Sequence, residues 1–330
     1  MKITILGSGG WGIALAMSVE RNGHSVTLWS PFEQEAMELS SIRESKKLLK
    51  GVKIPENIAI TTDITKAENS DITVIAVPSI AVREVAIKLK CVKNPGIVVN
   101  VAKGFEAQSL KRLSEVISDE LTAPVVVMSG PSHAEEVARK VPTSLVACSK
   151  NIDAAKKVIE AFSNEYFRLY TNDDIVGVEL GGALKNIIAV AAGVCDGLGL
   201  GDNTRAALIT RGLTEIARLG MALGAKERTF AGLSGLGDLI VTCTSKHSRN
   251  HRFGELIGQG VEVSEALEAV GTVEGYFATE LAYKMAKNVG AEMPIISKCY
   301  NVLYQNANVL EAIKELMIRP IRDEHESLWI

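Results

Sequence analysis

The chain has 330 residues, of which 47% are hydrophobic and 23% are charged, and its formal net charge is −3. These values exclude a disordered chain and a single small module, and they predict about two folded domains. Because the chain has no basic excess, nucleic acid or an anionic membrane surface is not expected as its main partner.

The cysteines and the N-terminal residues indicate the cellular compartment in which the protein is expected. The five cysteines are odd in number and form no C-x-x-C pair, which is typical of reduced thiols in the cytosol. The charge-free stretch 3–19 is shorter than the ~20 residues of a membrane-spanning helix and is interrupted by glycines. A signal peptide is the alternative interpretation, but the apolar run before Gly7 is too short for one. We therefore expect a cytoplasmic protein with no membrane span.

The first half of the chain alternates apolar runs rich in Val, Ile and Thr with helical or polar stretches. This is the pattern of βαβ units, and continuous apolar runs are typical of strands that are buried on both faces of a parallel sheet. For residues 1–173 we predict an α/β domain with a mostly parallel, doubly wound sheet. The predicted strands are residues 2–7, 25–30, 58–62, 71–79, 96–104, 124–130 and 143–149.

A glycine-rich turn joins the first predicted strand to the helix that follows it. The segment Gly7-Ser8-Gly9-Gly10-Trp11-Gly12 matches G-x-G-x-x-G. In this context the first glycine permits a tight turn, the second lets a pyrophosphate approach the backbone, and the third lets helix and strand pack closely. The helix N-terminus offers N–H groups to the phosphates. We predict dinucleotide binding here, and a purely structural glycine turn is the alternative.

The end of the second predicted strand bears on which dinucleotide binds. An acidic residue there would hydrogen-bond the adenosine ribose of NAD, whereas an arginine would accept the extra phosphate of NADP. The segment Ser30-Pro31-Phe32-Glu33 has neither a clear Asp at the strand end nor a basic residue. The sequence leaves NAD and NADP open, with a slight preference for NAD.

The second half, residues 174–330, changes in composition. Ala, Leu and Gly dominate, and apolar residues recur at helical spacing in residues 203–223, 263–270 and 276–289. This pattern predicts an all-helical domain. The boundary near residue 173 is marked by composition rather than by a linker.

One lysine lies in the middle of an apolar helix that is predicted for residues 175–194. Lys185 shares a helix face with Gly181, Gly182 and other small residues. Each glycine costs about 1 kcal/mol of helix stability relative to Ala, which indicates that a ligand or another backbone lies close to that face. The functional interpretation is a partly buried general acid/base with a lowered pKa. The alternative is a lysine that extends to solvent.

Two later segments contain groups that suit such a site. Residues 232–238, GLSGLGD, predict an irregular loop that ends in the carboxylate of Asp238. Residues 246–252, KHSRNHR, concentrate cations, and an arginine there can bind a phosphate through two hydrogen bonds. A merely solvated surface is the alternative for this run. His247 and His251 have the i, i+4 spacing of metal ligands, but no third ligand is evident, so no metal is expected.

Six segments together resemble the bacterial biosynthetic NAD(P)-dependent glycerol-3-phosphate dehydrogenases. The resemblance implies a Rossmann domain with an added pair of strands, an all-helical substrate domain and a homodimer. It implies NAD or NADP as cofactor and the interconversion of dihydroxyacetone phosphate and sn-glycerol 3-phosphate for phospholipid synthesis. The segments are GSGGWG (7–12), NVAKGFE (100–106), SGPSHAEEV (129–137), ELGGALKNIIAVAAG (179–193), GLSGLGDLIVTCTS (232–245) and SRNHRFG (248–254).

The resemblance also implies a role for individual residues. The catalytic pair is Lys185, the proton donor/acceptor at the C2 oxygen, and Asp238, its charge partner. Substrate contacts are this pair with Lys103, Gly130, Ser132, Asn186, Thr242, Ser248, Arg249 and Asn250. Cofactor contacts are Gly7, Ser8, Gly9, Gly10, Trp11, Gly12, Pro31, Lys103, Ala134, Arg249 and Glu274.

Some features leave alternatives open. Ser132 and Glu135 match a capping box that opens a helix, which is the structural interpretation of that segment. A two-domain dehydrogenase for a 2-keto or 3-hydroxy acid would share the glycine turn but lack the cations at 246–252. A dinucleotide-binding redox sensor would have no need of a buried lysine. The role of residues 319–330 stays open.

Overall fold

The computed structural model describes residues 1–321, 323 and 324. The chain forms two compact units, Met1–Ile175 and Val176–Ile330. Trp329 and Ile330, whose role the sequence leaves open, lie outside the described residues.

The first unit is built on one sheet, which has eight strands within the described residues and the order β3-β2-β1-β4-β5-β6-β7-β8. Neighbouring strands are parallel except for the antiparallel pair β6 and β7. The predicted mostly parallel sheet is thus confirmed. The strands are β1 (Lys2–Leu6), β2 (Ser25–Trp29), β3 (Ala59–Thr61), β4 (Ile72–Ile75), β5 (Ile97–Asn100), β6 (Val125–Ser129), β7 (Thr143–Cys148) and β8 (Phe167–Asn172).

Helices cover both faces of this sheet. They are α1 (Gly10–Arg21), α2 (Glu33–Ile42), α3 (Val82–Leu89), α4 (Leu113–Glu120), α5 (Ala134–Ala138) and α6 (Ile152–Phe162). On one face, Ile3 and Ile5 of β1 belong to a core with α1 and α6. On the other face, Leu6 belongs to a core with α3 and α4. Because successive strand residues point to opposite faces, burial on both sides explains the continuous apolar runs.

The structure differs from the predicted strands in three places. The runs at 71–79 and 96–104 leave the sheet after Ile75 and Asn100; the first of them contains Pro78, which has no N–H to donate to a ladder. Strand β8 was not predicted. In it Phe167 is buried and the next residue, Arg168, is exposed, so this edge strand alternates instead of showing a continuous apolar run.

The regular secondary structure in the described residues of the second unit is all helical, as predicted. Its first helix, α7, is the one described helix that is long and apolar enough to cross a membrane, and 89% of its most apolar window is buried in the protein. It is therefore a core helix in this fold. The helices are α7 (Ile175–Gly197), α8 (Gly201–Ala222), α9 (Asp238–Thr244), α10 (Arg249–Gly258), α11 (Val263–Val270), α12 (Glu274–Val289), α13 (Pro294–Gln305) and α14 (Val309–Met317).

Helices α7 and α10 cross at backbone contact distance because glycines line the crossing. A Cβ atom on Gly193 of α7 would lie 1.9 Å from the carbonyl oxygen of His251 on α10. A Cβ atom on Gly254 of α10 would lie 1.9 Å from the carbonyl oxygen of Val190 on α7. Two further glycines, one turn along each helix, are enclosed in the same way: Gly197 and Gly258.

We expect Gly254→Ala to lower the free energy of unfolding by about 1–3 kcal/mol, the usual cost of inserting atoms into a packed contact. The added methyl group collides with main chain, which cannot rotate away. Gly290→Asn is the matched control, because Gly290 has a left-handed backbone with φ 68 and ψ 23, which Asn tolerates, and no neighbour within 4 Å of an added Cβ. Urea denaturation measures both variants, and equal losses of stability would contradict the packing argument.

Candidate active site

The glycine turn after β1 has the geometry that its motif predicts. Gly7 has φ +125, and an added Cβ would lie 2.4 Å from the carbonyl oxygen of Ala76. A Cβ on Gly12 would lie 1.9 Å from the carbonyl oxygen of Gly7, so this glycine lets the helix approach the turn. Gly9, by contrast, has no atom within 4 Å of an added Cβ. The turn is thus closed on the protein side and open at Gly9, which fits the approach of a pyrophosphate.

The start of helix α1 suits the same ligand. Gly9 is the N-cap residue and contributes no side-chain cap, and the first turn holds no acidic residue. The N–H groups of a helix N-terminus and its positive dipole end favour a bound phosphate. Trp11 lies in this turn and packs against Phe167, with the ring centroids 6.5 Å apart. Gly10 lies against Ala134, with 3.7 Å between an added Cβ and the Ala134 Cβ.

A second group of predicted residues converges on the carbonyl oxygen of Gly130, just after β6. Lys103 Nζ donates to this oxygen at 3.0 Å, and Ser132 Oγ donates to it at 2.9 Å. Gly130 has φ +145, a backbone conformation that favours glycine. The structure therefore brings Lys103, Gly130 and Ser132 together.

The capping box predicted from Ser132 and Glu135 is wrong. Helix α5 begins at Ala134, its N-cap is His133, and no side chain caps it. The Ser132 hydroxyl instead donates to Gly130, two residues back. The helix start is one residue later than the motif requires, so Ser132 is not in the N-cap position.

An acidic side chain that the sequence analysis did not single out lies beside the glycine turn. Glu35, in the first turn of α2, accepts hydrogen bonds on one carboxylate oxygen, Oε2, from Ser8 Oγ at 2.6 Å and Ser30 Oγ at 2.7 Å. Ser8 belongs to the glycine turn, and Ser30 follows the last residue of β2. The available signal was the rule that an acidic residue follows the glycine motif by about 20 residues, but Glu33 satisfies this rule better than Glu35 does, and Glu38 lies only three residues further on.

In the second unit, Lys185 is buried in the middle of α7, with 6% of its surface exposed. Its Nζ donates to Asp238 Oδ1 and, at 2.6 Å, to Thr242 Oγ1. The Thr242 hydroxyl donates its own proton to the carbonyl oxygen of Asp238 at 2.6 Å, which leaves a lone pair to accept from the lysine. The alternative of a lysine that extends to solvent is therefore wrong.

The segment that delivers Asp238 is a helical turn rather than the predicted irregular loop. Leu233–Gly237 forms one turn of π-helix and continues directly into α9. A Cβ on Gly181 of α7 would lie 2.6 Å from the carbonyl oxygen of Ser234 in this turn. The mid-helix glycine thus makes room for another backbone, which is one of the two explanations that the sequence predicts. Single π turns often occur at functional sites.

The side chain of Asn250 links helix α7 to helix α12 through two hydrogen bonds. Asn250 Nδ2 donates to Asn186 Oδ1 at 2.9 Å, and Asn250 Oδ1 accepts from the backbone N–H of Gly275 at 2.8 Å. Asn186 follows Lys185 in the chain, and Gly275 follows Glu274, the first residue of α12. These two hydrogen bonds tie α7, α10 and α12 together.

The residues of the charged run at 246–252 differ in their contacts and in their exposure to solvent. Ser248 caps α10 by accepting from the backbone N–H of His251 at 3.2 Å. His251 Nε2 lies 2.8 Å from Asp196 Oδ2, whereas His247 and Arg249 are exposed. Among residues 1–321, 323 and 324, no group of three or more His, Cys, Asp or Glu side chains could hold a metal ion.

A thiol next to the lysine pair stays neutral. Cys243 follows Thr242 in the chain and is fully buried. Burial raises the pKa of its thiol to about 12, which outweighs the opposing effect of the nearby Lys185 charge. The thiolate, not the thiol, is the reactive form, so Cys243 is no nucleophile near neutral pH.

The predicted site residues divide into two groups according to the unit in which they lie. Pro31, predicted as a cofactor contact, is exposed just beyond β2. The group in the first unit comprises Gly7, Ser8, Gly9, Gly10, Trp11, Gly12, Pro31, Lys103, Gly130, Ser132 and Ala134. The group in the second unit comprises Lys185, Asn186, Asp238, Thr242, Ser248, Arg249, Asn250 and Glu274.

Comparison with known proteins decides the family. Models of the N-terminus and the C-terminus of NAD-dependent glycerol-3-phosphate dehydrogenase match residues 2–155 and 174–314. An NAD(P)+ glycerol-3-phosphate dehydrogenase of Thermoanaerobacter sp. strain X514 is 54% identical over 327 residues, which are 98% of this chain and 99% of that protein. This chain belongs to the NAD-dependent glycerol-3-phosphate dehydrogenase family.

Other members agree with this assignment. The glycerol-3-phosphate dehydrogenase of Geobacillus thermodenitrificans is 50% identical over 334 residues, covering 99% of this chain and 97% of that protein. The crystal structure of glycerol-3-phosphate dehydrogenase from Coxiella burnetii has a TM-score of 0.92 and 40% identity, covering 96% of this chain and 99% of that one. The resemblance carried by the six sequence segments is confirmed, and the alternative of a different dehydrogenase family is wrong.

In this glycerol-3-phosphate dehydrogenase family member, we expect Lys185→Met to destabilise the fold. The variant leaves the buried Asp238 carboxylate without its cation, and breaking a buried ion pair from one side costs about 3–5 kcal/mol. The double variant Lys185→Met/Asp238→Asn should recover most of that loss, since it removes the buried carboxylate charge as well. Urea denaturation of both variants tests this, and a single variant as stable as the native chain would refute the coupling.

Proposed function

We propose that this chain catalyses the interconversion of dihydroxyacetone phosphate and sn-glycerol 3-phosphate with an NAD(P) cofactor. Residues 1–173 form the dinucleotide-binding domain, and residues 174–330 form the substrate domain. The observation that carries the proposal is the buried Lys185 amine held by Asp238 and Thr242. Family membership supplies the substrate class, because the relatives named above are glycerol-3-phosphate dehydrogenases.

Reduction of a ketone to an alcohol needs a hydride at carbon and a proton at oxygen. The nicotinamide supplies the hydride when it is bound. Lys185 supplies the proton to the C2 oxygen, where negative charge develops, and takes it back in the reverse direction. Such proton transfer typically contributes a rate factor of about 100 to 10,000. Asp238 keeps the ammonium form available in a buried setting, and Thr242 fixes the direction of the amine.

The other residues of the site position the substrate. Asn186, the residue after Lys185, and Asn250 are held in place by their mutual hydrogen bond. Arg249 and Ser248, at the start of α10, bind the substrate phosphate, which the exposed guanidinium supports. In the first unit, the Lys103, Gly130 and Ser132 group contributes further substrate contacts. Holding the phosphate fixes the position of the carbonyl.

The remaining assignments follow from family resemblance and from composition. The cofactor contacts are the glycine turn Gly7–Gly12 with Pro31, Lys103, Ala134, Arg249 and Glu274. The open backbone at Gly9 supports the first of these. We further propose a cytoplasmic homodimer that supplies glycerol 3-phosphate for phospholipid synthesis.

We expect the purified chain to oxidise NADH or NADPH when dihydroxyacetone phosphate is added, followed at 340 nm. Lys185→Met should lower kcat by at least about 100-fold, because it removes the proton donor, while dinucleotide binding is retained. Unphosphorylated dihydroxyacetone serves as the control for phosphate recognition. A chain that binds dinucleotide but never oxidises it with the phosphorylated ketone would overturn the proposed function. Near-native kcat in the variant would overturn the role of Lys185.

We expect Arg249→Ala to raise the KM for dihydroxyacetone phosphate about tenfold or more, since a charge-assisted contact to phosphate is lost. The matched control is Arg252→Ala, which removes the same charge from an exposed position on the same helix. Initial-rate kinetics with both substrates varied give the two KM values. A similar rise in both variants would show a general charge effect rather than a clamp at Arg249.

A further inference from the structure

We propose that Glu35 is the residue that makes this enzyme prefer NAD(H) over NADP(H), through a contact to the adenosine ribose. The inference rests on the proposed function, since it names a specificity determinant of the same dinucleotide site. Residues 30–33, at the end of the second strand, leave the preference open. The residue that the structure indicates is Glu35, which lies two residues further on, in the first turn of α2.

The Glu35 carboxylate is held in one place by two hydroxyl groups from two different elements. Ser8 Oγ donates to Oε2 at 2.6 Å, and Ser30 Oγ donates to the same oxygen at 2.7 Å. Ser8 and Ser30 are buried, with 3% and 0% of their surfaces exposed. A side chain in the first turn of a surface helix gains no such fixation from helix geometry alone. The contacts therefore orient the carboxylate toward the glycine turn.

The position of this carboxylate is the one that the fold uses to recognise ribose. Strands β1 and β2 are parallel neighbours, paired from Lys2 with Ser25 to Leu6 with Trp29. The backbone N–H of Gly7 donates to the carbonyl oxygen of Trp29 at 2.9 Å, which joins the end of β2 to the glycine turn. In doubly wound dinucleotide-binding sheets, an acidic residue at this edge hydrogen-bonds the ribose hydroxyl groups.

The negative charge of the Glu35 carboxylate is what would distinguish NADP(H) from NAD(H). Both serine hydroxyls bind Oε2, which leaves Oε1 to accept from a new donor such as a ribose hydroxyl. NADP carries a phosphate on that hydroxyl, which replaces a donor with a group of about −2 charge. Like charges at contact distance repel, and a carboxylate fixed by two hydrogen bonds cannot turn away without losing them. NADPH should therefore bind more weakly than NADH to the native chain.

The test measures the Kd of NADH and of NADPH by fluorescence titration of the full chain, without substrate. We expect the native chain to bind NADH more tightly, and Glu35→Gln to reduce the ratio of the NADPH Kd to the NADH Kd by about tenfold or more. Glu33→Gln is the matched control, because it removes an exposed carboxylate from the same turn of α2 and should leave the ratio unchanged. Glu35→Ala is the second variant, with circular dichroism to verify its fold.

The outcomes separate this inference from the proposed function. A native preference for NADPH, an unchanged ratio in both Glu35 variants, or an equal change in Glu33→Gln would each overturn the assignment of Glu35. In those cases oxidation of either dinucleotide by dihydroxyacetone phosphate would still support the proposed function. A chain that binds neither dinucleotide would overturn both.

Discussion

The close approach of other backbones to helix α7 is the constraint on which the second unit depends. The π turn before α9 reaches α7 at Gly181, helix α10 reaches it at Gly193, and α12 reaches it through Gly275, where an added Cβ would lie 2.5 Å from the carbonyl oxygen of Asn186. The π turn leads directly into Asp238, which accepts from Lys185. A glycine in each contact is what allows three other backbones to approach helix α7 so closely.

This packing also explains how a charge can be buried in an apolar helix. An isolated ammonium in a dry interior would lose its proton or unfold its surroundings. Lys185 avoids both outcomes because α9 supplies a carboxylate and a hydroxyl from one turn of helix, at Asp238 and Thr242. The same arrangement keeps the amine in a fixed direction. The stability of this region therefore depends on these contacts, and under the proposed mechanism the proton transfer depends on them as well.

The sequence predicted those features that are determined by residues close together in the chain. The glycine turn, the central strands and the small-residue face of Lys185 all follow from backbone geometry or periodicity within about 20 residues. Residue patterns indicated Asp238, 53 residues from Lys185, only as a carboxylate that would suit the site. The family resemblance proposed it as the charge partner of the lysine. Strand β8 was missed because an edge strand buries one face, and its alternation at Phe167 and Leu169 spans few residues.

Glu35 shows a second limit of prediction from sequence, which is the choice among several similar residues. Three glutamates lie within six residues of each other after β2, and nothing in their spacing tells which one turns toward the glycine motif. Tertiary contacts with Ser8 and Ser30 decide it. The capping box at Ser132 failed because helix α5 begins at Ala134 with His133 as its N-cap, one residue later than the motif requires.

The burial of Cys243 has a consequence for how the enzyme meets oxidants and electrophiles. The Cys243 sulfur lies one residue from Thr242, the hydroxyl partner of Lys185. Because burial keeps this thiol protonated, it offers no thiolate to react with peroxide or an alkylating reagent. Of the five cysteines, Cys91 is the exposed one. Maleimide dyes should therefore attach at Cys91 and leave turnover intact, which gives a ready attachment point for fluorescence or surface immobilisation without prior mutagenesis.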